Sequence, residues 1–224
     1  MKDLLMNALP QASLFLGIIP ALFIMFISLK GYEGYYKDKT MFITFIAGII
    51  MGFIAAFVQS FFINLVVIST VLLAVFNQLF KTVILNIGRF QKKKETTIYG
   101  LSLGLGFGSS FTPFMIIAVS SLISNDIYVL SIIALGSLGI IFFQGATGAY
   151  IGYGVYSGNL AKKLIISVLI ELPLSLMIGL MLFYTSLSIR IQVIFATIAI
   201  IYGIIIFWYV SKKVIPMIKN TKEK

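Results

Sequence analysis

The sequence predicts an all-α membrane protein, a single bundle of about seven transmembrane helices. Three observations lead there. Only 11% of the 224 residues are charged and 60% are hydrophobic, whereas a soluble domain carries roughly 25% charged residues. The apolar residues come in blocks of about 20 or more, the length that crosses a hydrocarbon core. The basic residues fall in the short segments between blocks, where they set topology. The net charge of +10 therefore does not point to nucleic acid. The chain has neither Cys nor His. Disulfides, thiolate chemistry and the usual zinc, copper and haem ligand sets are thereby missing, and neither metal nor cofactor is expected.

Each span follows from its apolar block. Residues 1–10 read as a short, weakly amphipathic lead, with no small-residue cleavage site after the first block and hence no signal peptide. The first span covers 11–29, with Pro20 inside it. The block from Met41 to Phe76 is too long for one helix and splits near Gln59 and Ser60, giving spans 41–58 and 61–87. The fourth covers 98–124. The fifth covers 127–156 and is long enough to be tilted or broken. The sixth covers 164–185 with Pro173 inside, and the seventh 189–210. Together 1–210 form one transmembrane domain, and 211–224 a basic cytoplasmic tail.

Charge tests this count. Fourteen basic residues fall on one side of the predicted bundle: Lys30, Lys37 and Lys39; Arg89 and Lys92 to Lys94; Lys162 and Lys163; and five in the tail. Lys2 and Arg190 fall on the other. Positive residues favour the cytoplasm, so the N-terminus is expected outside and the C-terminus inside, in the plasma membrane. Tyr32, Tyr35 and Tyr36 read as an interfacial aromatic belt; topology alone explains the Arg89–Lys94 block, with contact to anionic headgroups as its other reading.

Glycines spaced by four place small residues on one helix face, where a neighbouring backbone can approach. Gly48 and Gly52 form one such pair, Gly100, Gly104 and Gly108 a triplet, and Gly148 and Gly152 another pair. Gly104-Leu105-Gly106-Phe107-Gly108 invites a nucleotide-loop reading. It has no preceding strand and the wrong spacing, so helix packing is expected instead.

Polar side chains inside hydrocarbon are costly and usually functional. Here they are Asn77, Gln78, Lys81, Gln144 and Glu171, with Ser109, Ser110 and Thr112 on the fourth span. At 1.5 Å rise per residue, Lys81 lies about 9 Å and Glu171 about 10 Å from the cytoplasmic ends of their spans. Asn77 and Gln78, four and three residues before Lys81, share its face. The group forms one zone in the cytoplasmic half. Lys81 has two readings, snorkelling to headgroups or contacting Glu171. Glu171 has three: neutral, paired with Lys81, or solvated by a cavity.

The order of these features resembles the CAAX-protease superfamily of intramembrane proteases, in particular its PrsW-like branch. Asn77-Gln78-Leu79-Phe80-Lys81 sits at that family's Glu-Glu-x-x-Lys/Arg motif. Tyr99-Gly100 through Gly104-Leu105-Gly106-Phe107-Gly108 matches its glycine-rich segment, with Phe111 where a later Glu belongs. Gln144, followed by Gly148, Gly152 and the Lys162-Lys163 loop, falls at the first family His, and Glu171 near the second. Ile18-Ile19-Pro20-Ala21-Leu22 is similar to the branch's opening segment, and the resemblance covers about 10 to 185. It implies a protease fold in which the paired acids, the later Glu and both histidines are replaced. Neutral amides keep the volume and hydrogen bonding of the acids without their basicity. The resemblance therefore implies a non-catalytic member that binds a partner helix, peptide or lipid in a degenerate cavity. Two alternatives stay open: a small transporter or channel subunit with a polar pathway through Lys81, Gln144 and Glu171, and an active protease with atypical residues.

Overall fold

In hydrocarbon every backbone N–H and C=O must be satisfied within the chain, so spanning segments fold as helices. The computed structural model describes residues 2–61, 66–110, 113–114, 127–183 and 188–220, and no strand occurs among them. The helices are α1 (Lys2–Leu29), α2 (Asp38–Ser60), α3 (Val66–Leu85), α4 (Thr96–Ser109), α5 (Ile127–Ser157), α6 (Leu160–Phe183), α7 (Ile189–Lys213) and a terminal turn, α8 (Met217–Asn220). Among the described residues, four segments are long and apolar enough to cross a membrane: Asp38–Val58, Ser131–Ser157, Leu160–Leu180 and Arg190–Lys219. Phe15–Leu29 and Thr70–Leu85 are shorter apolar helices. Large apolar side chains, among them Phe23, Phe26, Phe57, Ile165 and Trp208, face outward, as lipid-facing positions do.

α4 is the hub. All fourteen of its residues are buried, and it packs chiefly between α5 and α2. Gly100 and Gly148 face one another so closely that a Cβ on either would overlap the other's carbonyl oxygen. Gly104 lies against the backbone of Gln144 and Gly145, and Gly152 against Thr96 and Thr97. On the opposite side of α4, Gly48 meets Leu103 and Phe107, and Gly52 meets Phe107 and Ser110. All seven glycines expected to pack do so, and Gly104, Gly106 and Gly108 lie within a helix rather than a loop. Close packing of small residues is a main source of helix association where lipid removes the hydrophobic drive.

Several boundaries differ from expectation. The lead merges into α1, which continues through Pro10 and Pro20. The third span begins at Val66 in the described residues, with 62–65 outside them. α4 ends at Ser109 instead of continuing as one helix. Pro113 has no N–H to pair with the Ser109 carbonyl, and its ring crowds that same oxygen. Phe111, Thr112 and 115–126 lie outside the described residues. α5 is one unbroken helix of 31 residues, about 46 Å long at the usual rise. Gly158, with φ +74, then allows the tight reversal into α6.

The tail differs most. α7 runs on to Lys213, and the chain then turns back so that Ile215 and Ile218 are 1% exposed. Both join the core cluster that holds Leu29, Phe90, Tyr99 and Val155. Apolar burial draws in a segment that charge alone assigns to solvent. The same region gathers the basic segments at one end of the bundle. The Lys37 N–H donates to Tyr99 Oη at 3.1 Å, Phe90 packs on Tyr99, and Lys219 Nζ lies over Tyr32.

Two substitutions test this packing. Gly100→Val should destabilise the detergent-solubilised protein by about 1–3 kcal/mol or more, through overpacking against α5. Gly136→Ala, where no atom lies within 4 Å of the added Cβ, should be neutral or stabilising by up to about 1 kcal/mol. Thermal unfolding of both variants measures the difference. For the tail, Ile215→Ala should cost about 2–5 kcal/mol, whereas a loose extension would lose nothing in the same melt.

Candidate functional site

The polar residues converge where α3, α5 and α6 meet. Asn77, Gln78 and Lys81 come from α3, Gln144 from α5 and Glu171 from α6, and none is more than 5% exposed. On α3 the spacings of three and four residues bring the two amides over the lysine's face. On α6, Glu171 lies two residues before Pro173, within a helix that continues to Phe183.

Glu171 is held by three amides. Asn77 Nδ2 donates to Oε1 at 2.7 Å, Gln144 Nε2 donates to Oε1 at 2.8 Å, and Gln78 Nε2 donates to Oε2. Lys81 Nζ donates to Gln144 Oε1 and to Thr147 Oγ1, each at 2.6 Å. Its ammonium also lies 5.7 Å from the Phe107 ring centroid. Lys81 does not snorkel; it is among the largest fully buried side chains. No hydrogen bond runs directly from Lys81 to Glu171 among the described residues. Gln144 joins them: its carbonyl oxygen faces the ammonium and its N–H group faces the carboxylate. One neutral amide thus satisfies both charges, since it is donor and acceptor at once.

Thr147 is the member that sequence reasoning missed. It lies three residues after Gln144 on the same helix face, is fully buried, and also faces Gln78 Nε2 at 3.4 Å. That i, i+3 relation was the available signal. Ser109 and Ser110 do not join the network. Their hydroxyls donate back to Gly106 O and Phe107 O at 2.7 Å each, a common use of serine near a helix end.

Beside the carboxylate lies a cavity of about 20 Å³, bounded by Asn77, Gln144, Glu171 and Ser175 with Gly52, Phe107 and Leu174. That is room for about one water molecule. Asn77 Oδ1 and, nearby on α3, Gln78 Oε1 are buried without a hydrogen-bond partner among the described residues; Asn77 lines the cavity, and a small donor molecule there would match its acceptor.

Chemically the cluster is a buried lysine and a buried glutamate with an amide between them. Both Glu171 oxygens are engaged as acceptors, Oε1 from Asn77 and Gln144 and Oε2 from Gln78. Among the described residues no group of three or more His, Cys, Asp or Glu could hold a metal ion. No family model, curated protein or solved structure matches the chain.

Breaking the bridge should be costly. Gln144→Leu removes a partner from each buried charge and is expected to destabilise by about 3–5 kcal/mol. A double-mutant cycle tests the linkage between the ions. Lys81→Met with Glu171→Gln should be less destabilised than the sum of the single variants, by about 0.5–3 kcal/mol. Additive losses in detergent unfolding would show that Gln144 does not couple them.

Proposed function

We propose that this chain is a non-catalytic, PrsW-like integral membrane protein of seven spans, with its N-terminus outside and its C-terminus cytoplasmic, residing in the plasma membrane. It works by binding a membrane partner, and its polar centre holds three helices together in place of a catalyst. The observation that carries this reading is the Gln144 bridge. At the positions where the resemblance expects acids and histidines, Asn77, Gln78 and Gln144 form neutral hydrogen bonds to one carboxylate. An amide can neither take a proton from water at neutral pH nor replace a histidine as a general base. A fold can persist after its chemistry is lost.

The small cavity also bears on the binding mode. Room for about one water does not admit a helix or a peptide, so partner binding falls to the apolar outer faces of the bundle. The closed network supports a through pathway less well, because Lys81, Gln144 and Glu171 are each at most 3% exposed.

Purification in mild detergent, with mass spectrometry and elemental analysis on one sample, tests the proposal. A stoichiometric membrane partner, substoichiometric metal and no cleavage across a panel of membrane peptides are the expected results. Cleavage abolished by Glu171→Ala would sink it in favour of a protease. Solute or proton flux in proteoliposomes, abolished by Glu171→Gln, would favour the transporter reading instead.

A further inference from the structure

Away from the polar centre, a groove of about 560 Å³ opens between the end of α1 and the start of α2. Its volume lies in the range of small-molecule sites. Leu22, Met25, Phe26 and Phe42 form apolar walls, while Lys30, Glu33 and Tyr36 stand at the mouth. Phe26 and Phe42 are 74% and 50% exposed, so the walls run out onto the lipid-facing surface.

The folded-back tail sets a second cation, Lys219, beside the loop that carries Glu33. Burial of Ile215 and Ile218 places Lys219 over the α1–α2 loop, with Nζ 4.3 Å from the Tyr32 ring centroid and 6.0 Å from that of Tyr35. Gly31 lies directly beneath; a Cβ there would be 3.9 Å from the ammonium. Glu33 stays ionised between these cations. Its carboxyl is held below the usual range chiefly by backbone hydrogen bonds from Gly31 and Glu33, with Lys219 and Lys30 adding to the effect. One carboxylate against two ammonium groups leaves the mouth positive.

We propose that this groove is a binding site for one anionic phospholipid, its acyl chain along Leu22, Phe26 and Phe42 and its phosphate between Lys30 and Lys219. Apolar walls that lead into a cationic, aromatic rim match the two halves of such a molecule. The groove also lies at the bundle end where the basic segments gather, and basic residues there attract anionic lipid. A transmembrane helix would have no use for the paired cations. The inference is independent of the functional reading above.

Native mass spectrometry of the full chain in detergent, given equal amounts of phosphatidylglycerol and phosphatidylcholine, tests it. One retained lipid is expected, with phosphatidylglycerol preferred by at least about fivefold, the order expected for one lysine near a headgroup. The surface variant Lys30→Gln/Lys219→Gln should lose that preference, while Lys162→Gln/Lys212→Gln, two exposed cations that do not line the groove, should keep it. Leu22→Trp, which fills the groove, should lose both lipids. Equal retention of the two lipids by the wild type would overturn the site. So would a preference that survives the Lys30/Lys219 substitutions or vanishes equally in the Lys162/Lys212 control, or a co-purifying protein cross-linked at Phe26.

Discussion

Hydrocarbon offers no hydrogen bonds, so a buried lysine and a buried glutamate must find theirs within the protein. Gln144 solves this for both, with its oxygen on Lys81 and its nitrogen on Glu171. Because the three residues come from α3, α5 and α6, the same amide ties three helices. A direct ion pair would leave further donors and lone pairs to satisfy, and the cost of desolvating both charges would still apply. With Asn77, Gln78 and Thr147 added, both carboxylate oxygens and the ammonium have neutral partners. Such a network specifies one arrangement of its helices, since any slip leaves charged groups unpaired.

That bridge depends in turn on the thinness of α4. Its glycines let α5 approach until backbones touch at Gly100 and Gly148, while Gly48 and Gly52 bring α2 onto its other side. Gly104 rests against the Gln144 backbone itself, so a larger residue there would displace the bridge as well as the helix. Phe107 of α4 covers Lys81 and completes the seal. Packing and polar satisfaction are one constraint here, because the residue that links the charges is also the residue the glycine seam positions.

The chemical consequence follows from what an amide lacks. Asn77, Gln78 and Gln144 match carboxylates or imidazoles in hydrogen-bonding reach but bring no charge that titrates near neutrality. The centre gathers polar groups from three helices, and the amide and ammonium donors are turned onto acceptors within the cluster. On the proposed reading, binding falls to the outer surface, where apolar side chains and the basic bundle end provide the remaining chemistry.

The helical membrane class was legible in the sequence because the length of apolar blocks, hydropathy and the scarcity of charge act locally, without reference to neighbours. The gathering of Asn77, Gln78, Lys81, Gln144 and Glu171 was legible too, since helix rise converts position into depth. The glycine faces followed from four-residue spacing for the same reason. What depth arithmetic cannot express is rotation about each helix axis. The bridging role of Gln144, the addition of Thr147 and the exclusion of Ser109 and Ser110 were therefore settled only by tertiary packing. The tail shows the same limit: its lysines read as solvent-exposed, while Ile215 and Ile218 found an apolar surface that exists only once α1, α4 and α5 have assembled. Composition and periodicity set which groups must be buried or paired, and the folded bundle alone decided with whom.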